Sequence, residues 1–410
     1  MAAEGFCARG NPAAGGMGGG SRLDSGSESI RRFVTPNQFC VGLFPELLAT
    51  GGIQRAGRHM AAVLAGMAAR HDATYRFLSL NDPAGEHRSE IEGCEFRFTG
   101  FERSKARFLL AAQAAGRPRL IFVAHPNLAP VGWLLQKRTG ARMVVVAWGI
   151  EVWEPLLARR RWALQAADAI LAISHYTAEK VVEIQGVAPS RVQILPLALD
   201  PSFLASLGET PLTNGLPAKY PRGRIILSVT RLAASEGYKG IDTVIQALPR
   251  LRSVVPDVQY VVIGDGDDRP RLEQLSREAG VGDCVHFAGQ LDGASPELRA
   301  CYRNCDVFAL PSKGEGFGLV FLEAMAYGKP VVGGAHGGAL DVIEDGKTGF
   351  LVSHGDVQGL AGALEKLLID AELRRRLGEH GRARVLSQFC FDSFQARLER
   401  IVAEMCAAKS

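Results

Sequence analysis

The sequence has little that would commit it to a membrane, an oxidising compartment or a nucleic acid. No apolar run approaches the roughly 18–20 residues that span a bilayer. Residues 1–30, rich in Gly, Ala and Ser, lack the apolar centre of a secretory signal. That composition predicts a disordered tail over 1–32. Eight cysteines are scattered at positions 7, 40, 94, 284, 301, 305, 390 and 406. Only Cys301 and Cys305 lie close, and no His or Cys pair elsewhere completes a zinc site with them. Buried or free thiols in a reducing cytosol are therefore expected. The net charge of +4 is too small to argue for nucleic acid, and no dense Lys/Arg stripe with interleaved aromatics appears.

What is present is alternation. Short apolar runs at Phe39–Leu47, Arg76–Leu80, Leu120–Ala124, Met143–Ala147, Ala169–Ile173 and Val192–Leu195 are separated by helical patterns. A second series follows at Ile225–Thr230, Val258–Ile263, Cys284–Phe287, Val307–Leu310, Pro330–Gly333 and Phe350–Val352. Strand–helix alternation predicts parallel sheets, and two series predict two Rossmann-like domains. The Pro-, Gly- and Ser-containing stretch Pro201–Pro221 is the natural linker. The domains are accordingly placed at 33–210 and 216–388. Residues 389–410 form a terminal helix with Phe394, Leu398, Ile401, Val402 and Met405 on one face.

The most informative stretch is GEGFGLVFLEAMAYGKP, Gly314–Pro330. The run before it reads as a buried strand, Lys313–Gly318 as a glycine turn, and Leu319–Tyr327 as a helix. Gly328 caps that helix, and Lys329-Pro330 prevents its continuation. The free N–H groups of Phe317, Gly318 and Leu319 then open onto the crevice above the sheet, an anion site by construction. Glu315 lies at its mouth. Glu323 sits in an otherwise apolar helix, where burying a carboxylate costs several kcal/mol unless something pairs with it. Hydrogen bonds from sugar or ribose hydroxyls would explain it, whereas a lone acid in a glycine turn is commonly a solvated charge.

Upstream, IILSVTRLAASEGYKG (Ile225–Gly240) puts Arg231 and Lys239 on either side of a strand-to-helix loop, which suits a diphosphate. Gly264 and Gly266 in VVIGDGDDRP lack the third glycine of a dinucleotide fingerprint, and Asp265–Asp268 lack metal-ligand spacing. Gly346-Lys347-Thr348 imitates the end of a P-loop, but a strand follows it, so it reads as a turn. Thr50-Gly51-Gly52 allows close backbone approach to a ligand. His125, at a strand end, is placed to line a cleft, although a lone His is more often structural. His175 reads as a capping or packing residue.

E-G-F-G-L-x-x-L-E-A-M-A-x-G-K-P-V-V resembles the signature of the retaining glycosyltransferases of family 4, and further motifs recur in order from Phe39 to Ala403. The resemblance implies the GT-B architecture: two facing Rossmann-like domains, with the terminal helix crossing back to the first. It implies a metal-independent hexosyltransferase with no cofactor beyond its co-substrate, a GDP- or UDP-hexose. In that reading Arg231 and Lys239 hold the diphosphate, Glu315 the sugar and Glu323 the ribose. Gly51 and Gly52 lie near the phosphates, and the segment holding Gly264 and Gly266 closes over the base. Ala147–Trp153 resembles the family's His-Gly-x-Glu segment, but Trp148 replaces the histidine that usually contacts the donor sugar; Glu151 is left to face the acceptor. A saccharide or polyprenyl-linked acceptor is implied, at the cytoplasmic side of the plasma membrane. The basic stretch Arg103–Arg119, with Phe108, Leu109 and Leu110 inside it, suits a peripheral lipid contact or, equally, a solvated amphipathic helix. No nucleic acid is expected. The alternative is a non-catalytic sugar-nucleotide-binding scaffold of the same fold.

Overall fold

Apolar runs buried on both faces need helices on both sides, and this requirement shapes each half of the molecule. The computed structural model describes residues 38–208, 220–293 and 295–407; the tail expected over 1–32 and most of the linker lie outside them. The first half contains β1 (Gln38–Phe44), β2 (Thr74–Ser79), β3 (Gly85–Ile91), β4 (Cys94–Gly100), β5 (Leu120–Val123), β6 (Arg142–Ala147), β7 (Ala169–Ala172) and β8 (Val192–Ile194). They form one sheet in the order β3-β4-β2-β1-β5-β6-β7-β8. The second half contains β9 (Arg224–Val229), β10 (Val258–Ile263), β11 (Val285–Gly289), β12 (Val307–Leu310), β13 (Val331–Gly334) and β14 (Gly349–Val352), ordered β11-β10-β9-β12-β13-β14. All ladders are parallel except β3–β4. Two Rossmann-like halves are therefore present.

The β3–β4 hairpin is a departure from the sequence reading, which placed no strands between Leu80 and Leu120. Its first strand, GEHRSEI, is polar and largely exposed. Ile91 pairs with Cys94 across a two-residue turn. Both turn residues, Glu92 and Gly93, have positive φ, as the twist of a tight hairpin requires. The linker also begins as structure: Asp200 caps the short helix Pro201–Ala205 by accepting from the Ser202 N–H at 3.0 Å.

One apolar cluster runs from the first sheet through Leu195–Leu199 and Phe203 into the second sheet and the terminal helix, so the halves share a core. A second cluster covers the other face of the first sheet. The terminal helix, Phe391–Ala407, returns to the first half and packs on the helix Gly52–Arg70. Phe394, Leu398, Ile401, Val402 and Met405 are all buried, as their spacing predicts. Phe391 meets the buried His59 ring edge-on at 5.3 Å, and Arg70 pairs with Glu399 at 2.6 Å. The seven described cysteines are unpaired thiols. Among the described residues no helix is long and apolar enough to cross a membrane.

Leu398→Ala removes a fully buried side chain from the seam between the terminal helix and the first half. It should cost about 2–5 kcal/mol, read as a lower urea midpoint of the first unfolding transition. An unchanged midpoint would mean that the helix adds nothing to the first half.

Candidate active site

The strand β12 is buried at every residue and delivers the chain to the glycine loop at its C-terminal end. Gly318 caps the helix Leu319–Ala326 in a left-handed conformation (φ 97°) that side chains rarely adopt. Gly316 is where the two halves meet: a Cβ there would stand 2.6 Å from the Trp148 carbonyl oxygen. From the first half, Gly51 caps the helix Gly52–Arg70, and Gly52 approaches the Leu319 side chain. Two helix N-termini, one from each half, thus abut one cavity of about 710 Å³. Thr50, Gly51, Gly52, Trp148, Ile150 and Glu151 line its first-half side, and Arg231 and Glu315–Leu319 its second-half side. Free N–H groups and positive dipole ends on both walls favour an anionic ligand.

Most of the residues singled out from the sequence gather here. Lys239 Nζ donates to Glu315 Oε1 at 2.5 Å, and both are nearly buried. Burial works to lower the Lys239 ammonium, but the charge and hydrogen bond of Glu315 outweigh it and leave it raised. Arg231 is largely exposed, pairs with Glu236, and shares a crevice with Lys239 as well as the main cavity. Phe317 packs edge-on against Phe389.

Gly264 and Gly266 do not line the cavity. A Cβ on either would strike the carbonyl of Thr230 or Leu232, so their bareness lets the following loop press against the Arg231 segment. The Leu232 N–H donates to the Asp265 carbonyl and the Asp268 N–H to the Leu232 carbonyl, which fixes that segment. The neighbouring acids are separately engaged: Asp267 accepts from the Ala234 N–H at 2.7 Å, and Asp268 pairs with Arg271 at 2.6 Å.

Glu323 is buried, and its partners were not legible in the sequence. Arg55 of the first half donates to Oε1 at 3.0 Å, and Tyr302 donates to Oε2 at 2.8 Å. Burial works to lower the Arg55 guanidinium, and Glu323 more than compensates, leaving it raised. The Tyr302 hydroxyl is pushed well up by burial, reinforced by Glu323. A smaller cavity of about 270 Å³, lined by Thr50, Arg55, Arg58, Asp200, Asp292 and Arg299 among others, adjoins this pair.

On the first half, Trp148 is buried and spends its indole N–H on the Ala124 carbonyl at 2.7 Å. The Trp148 backbone N–H donates to Glu151 Oε1 at 2.6 Å. Burial pushes the Glu151 carboxyl up, with backbone N–H groups working against it. His125 accepts from the Asn127 N–H at 3.1 Å and caps the short helical turn Pro126–Leu128. Burial and the Arg160 charge lower it to about 4. His175 is not the cap of its helix; Ser174 is, accepting from the Thr177 N–H. His175 instead reaches across to Asp341, and Tyr176 contacts His336 at 3.1 Å, so two further bridges join the halves.

Two consequences can be measured. Arg55→Ala leaves Glu323 buried with one donor, which should cost about 3–5 kcal/mol; adding Glu323→Gln to it should recover part of that loss. Additive losses in the urea midpoints would show that the pair does not interact. His125 is held neutral, with its folded pKa depressed from 6.5 to about 4. Within that window the unfolded chain binds a proton that the folded chain does not. Stability should therefore fall, by on the order of 2–3 kcal/mol, as pH drops from 6.5 towards 4. His125→Gln should flatten that part of the thermal-melt pH profile, and an unchanged slope would assign it to other groups.

Comparison with known proteins agrees with this geometry. The family model described as glycosyl transferases group 1 matches residues 217–384, and that of a glycosyl transferase 4-like domain matches 51–198. The chain is 32% identical over 299 residues to a GDP-mannose-dependent alpha-(1-6)-phosphatidylinositol monomannoside mannosyltransferase of Mycolicibacterium smegmatis, covering 69% of this chain and 75% of that protein. It is 34% identical over 220 residues to a D-inositol 3-phosphate glycosyltransferase of Stackebrandtia nassauensis, covering 52% of this chain and 48% of that one. Sucrose-phosphate synthase from Thermosynechococcus elongatus superposes with a TM-score of 0.70 at 24% identity, over 91% of this chain and 100% of that one. Anabaena HepE in complex with UDP superposes with a TM-score of 0.66 at 18% identity, over 90% and 100%. At those identities the structural likeness is one of fold. The sequence relatives and the architecture together place the chain in the glycosyl transferases group 1 family, with the GT-B fold.

Proposed function

We propose that this glycosyltransferase moves a hexosyl unit, with retention, from a GDP- or UDP-hexose to a saccharide or polyprenyl-linked acceptor. The carrying observation is the cavity between the halves, where two helix N-termini, Arg231 and the Lys239–Glu315 pair converge. In this reading the donor diphosphate takes the place of Glu315 on Lys239, and Arg231 and the amides of Phe317–Leu319 receive the remaining oxygens. Glu315, released, accepts hydrogen bonds from the sugar. The smaller cavity, which Arg55 lines, takes the nucleoside, and the ribose takes the place of Arg55 on Glu323 as the diphosphate takes that of Glu315 on Lys239.

The bond from the anomeric carbon to the phosphate oxygen breaks as the bond to the acceptor oxygen forms on the same face. The acceptor proton passes to the departing phosphate. Charge developing on that phosphate meets fixed cations and dipoles, so no metal and no cofactor besides the co-substrate enter the proposal. The relatives' donors and acceptors, GDP-mannose and inositol lipids or phosphates among them, support the substrate class. A peripheral site at the inner face of the plasma membrane follows from a lipid-linked acceptor.

The test is transfer from a panel of nucleotide sugars, with EDTA or with Mn²⁺. Activity should survive EDTA. Lys239→Ala should weaken nucleoside diphosphate binding about 10- to 150-fold, the worth of a hydrogen bond to a charged group. Glu315→Gln should lower kcat about 10²–10³-fold without weakening nucleoside diphosphate binding, since it removes the charge that competes with the phosphates for Lys239. Complete loss with EDTA, restored by Mn²⁺, would overturn the metal-free mechanism. Nucleotide binding without turnover of any donor would favour the scaffold reading.

A further inference from the structure

The second half carries basic side chains at its strand ends that the proposed donor contacts leave unused. The strands β12, β13 and β14 are parallel neighbours, so their C-terminal ends lie side by side. Lys313 follows β12, His336 follows β13 and His354 follows β14, each two or three residues past the strand end. His354 Nδ1 lies 3.2 Å from the Pro311 carbonyl, which ties it to the loop of Lys313. From the first half, the helix His175–Glu183 brings Tyr176 and Lys180 to the same place. The Tyr176 hydroxyl and His336 Nε2 are 3.1 Å apart, with 4.7 Å between ring centroids. Lys180 Nζ stands 5.3 Å over the Tyr176 ring.

The acids nearest in sequence do not answer the second-half cations. Glu315 is taken by Lys239, Asp341 by His175, and Asp356 by the Gly359 N–H. Among the described residues Lys313, His336 and His354 form no ion pair, and Lys313 and His354 are exposed. Lys180 differs in having Glu183 at 2.8 Å. Burial lowers the His336 imidazole; a hydrogen bond to the Lys313 backbone opposes it, and the charges of Lys313, Lys180 and His354 add to it. Four basic groups from the two halves thus lie within electrostatic reach of one another. Like charges crowded in this way repel, and an anion among them relieves the repulsion.

We infer that Lys313, His336 and His354, with Lys180 across the seam, form a second anion subsite that holds a phosphate or carboxylate carried by the acceptor. Topology favours the acceptor over the donor. Arg231 and Lys239, assigned to the donor diphosphate, follow β9, and Glu315, assigned to its sugar, follows β12. A donor laid along the strand ends therefore runs from β9 to β12, and β13 and β14 lie beyond it. The backbone joins the two sites. The Gly338 N–H donates to the Glu315 carbonyl at 2.7 Å, and a Cβ on Gly337 would stand 2.5 Å from that oxygen. The turn holding His336 is thus packed on the Glu315 wall of the transfer cavity. Ammonium and imidazolium donors suit either a phosphate or a carboxylate. The inference rests on the proposed saccharide acceptor and adds that this acceptor is anionic.

The probe is glucose 6-phosphate, titrated calorimetrically into the full chain saturated with GDP or UDP, which occupies the site of Arg231 and Lys239. A further site should appear for glucose 6-phosphate and for inorganic phosphate, and none for glucose. Lys313→Glu changes an exposed side chain and should weaken that site at least about tenfold, the lower end of the worth of a hydrogen bond to a charged group. Adding His354→Glu should weaken it further, whereas Lys313→Arg should keep most of the affinity. GDP or UDP affinity in the same variants should stay at wild-type level. No second site in the wild type, or one untouched by Lys313→Glu, would overturn the inference. So would a Lys313→Glu variant that loses affinity for UDP-glucuronate but not for glucose 6-phosphate, since the anion would then belong to the donor. A wild type that binds neither nucleotide would instead count against the proposed function.

Discussion

A carboxylate buried inside an apolar helix has to be neutralised, and in this protein the neutralising charge comes from the other half of the molecule. Glu323 lies in the helix behind the glycine loop, and Arg55 one turn into the helix that opens the first half. Each would be costly where it is without the other. Tyr302 occupies the second carboxylate oxygen and completes the set. The two helices whose N-termini face the cavity are therefore tied to each other a short distance behind it. The shared apolar core, the His175–Asp341 bridge and the close approach of Gly316 to Trp148 act in the same direction.

With the halves held like this, the geometry of an anion site follows from the backbone. The parallel strands of both sheets end at the cleft, and the helices after them begin there, so unpaired N–H groups point inward from both sides. The side chains add selectivity. Lys239 is buried beside Glu315, an arrangement that keeps the ammonium charged in a place where burial alone would lower it. A phosphate that reaches Lys239 meets a cation already desolvated and oriented, which strengthens their interaction. Arg231 differs in being exposed, where it pairs with Glu236. The nearly buried cation and the exposed one flank the same loop, and Gly264 and Gly266 keep that loop in place from outside the cavity.

How much of this could be read in advance depended on the kind of signal. The parallel strands were visible because a strand buried on both faces must be apolar throughout, as Leu120–Val123 and Val307–Leu310 are. The β3–β4 hairpin was missed because GEHRSEI is an edge strand with solvent on most of its residues, and its turn, Glu92-Gly93, is not one of the stronger hairpin dipeptides. The alternation of CEFRFTG, which buries Phe96 and Phe98, was the available clue. His175 was misread because Ser174, one residue earlier, does the capping. Its partner Asp341 is 166 residues away.

Local and sequential features of this protein were determined by the sequence alone. The strand–helix alternation, the glycine turn with its capped helix, the apolar face of the terminal helix and the clustering of Arg231, Lys239 and Glu315 near strand ends all follow from short-range periodicity and backbone sterics. Pairings across the fold were decided only by tertiary structure. That Arg55 answers Glu323, that Trp148 turns its indole N–H inward to Ala124, and that His175 reaches Asp341 of the other half depend on which surfaces meet. Burial sets the cost of an unpaired charge, and no stretch of sequence specifies by itself what will be buried against it.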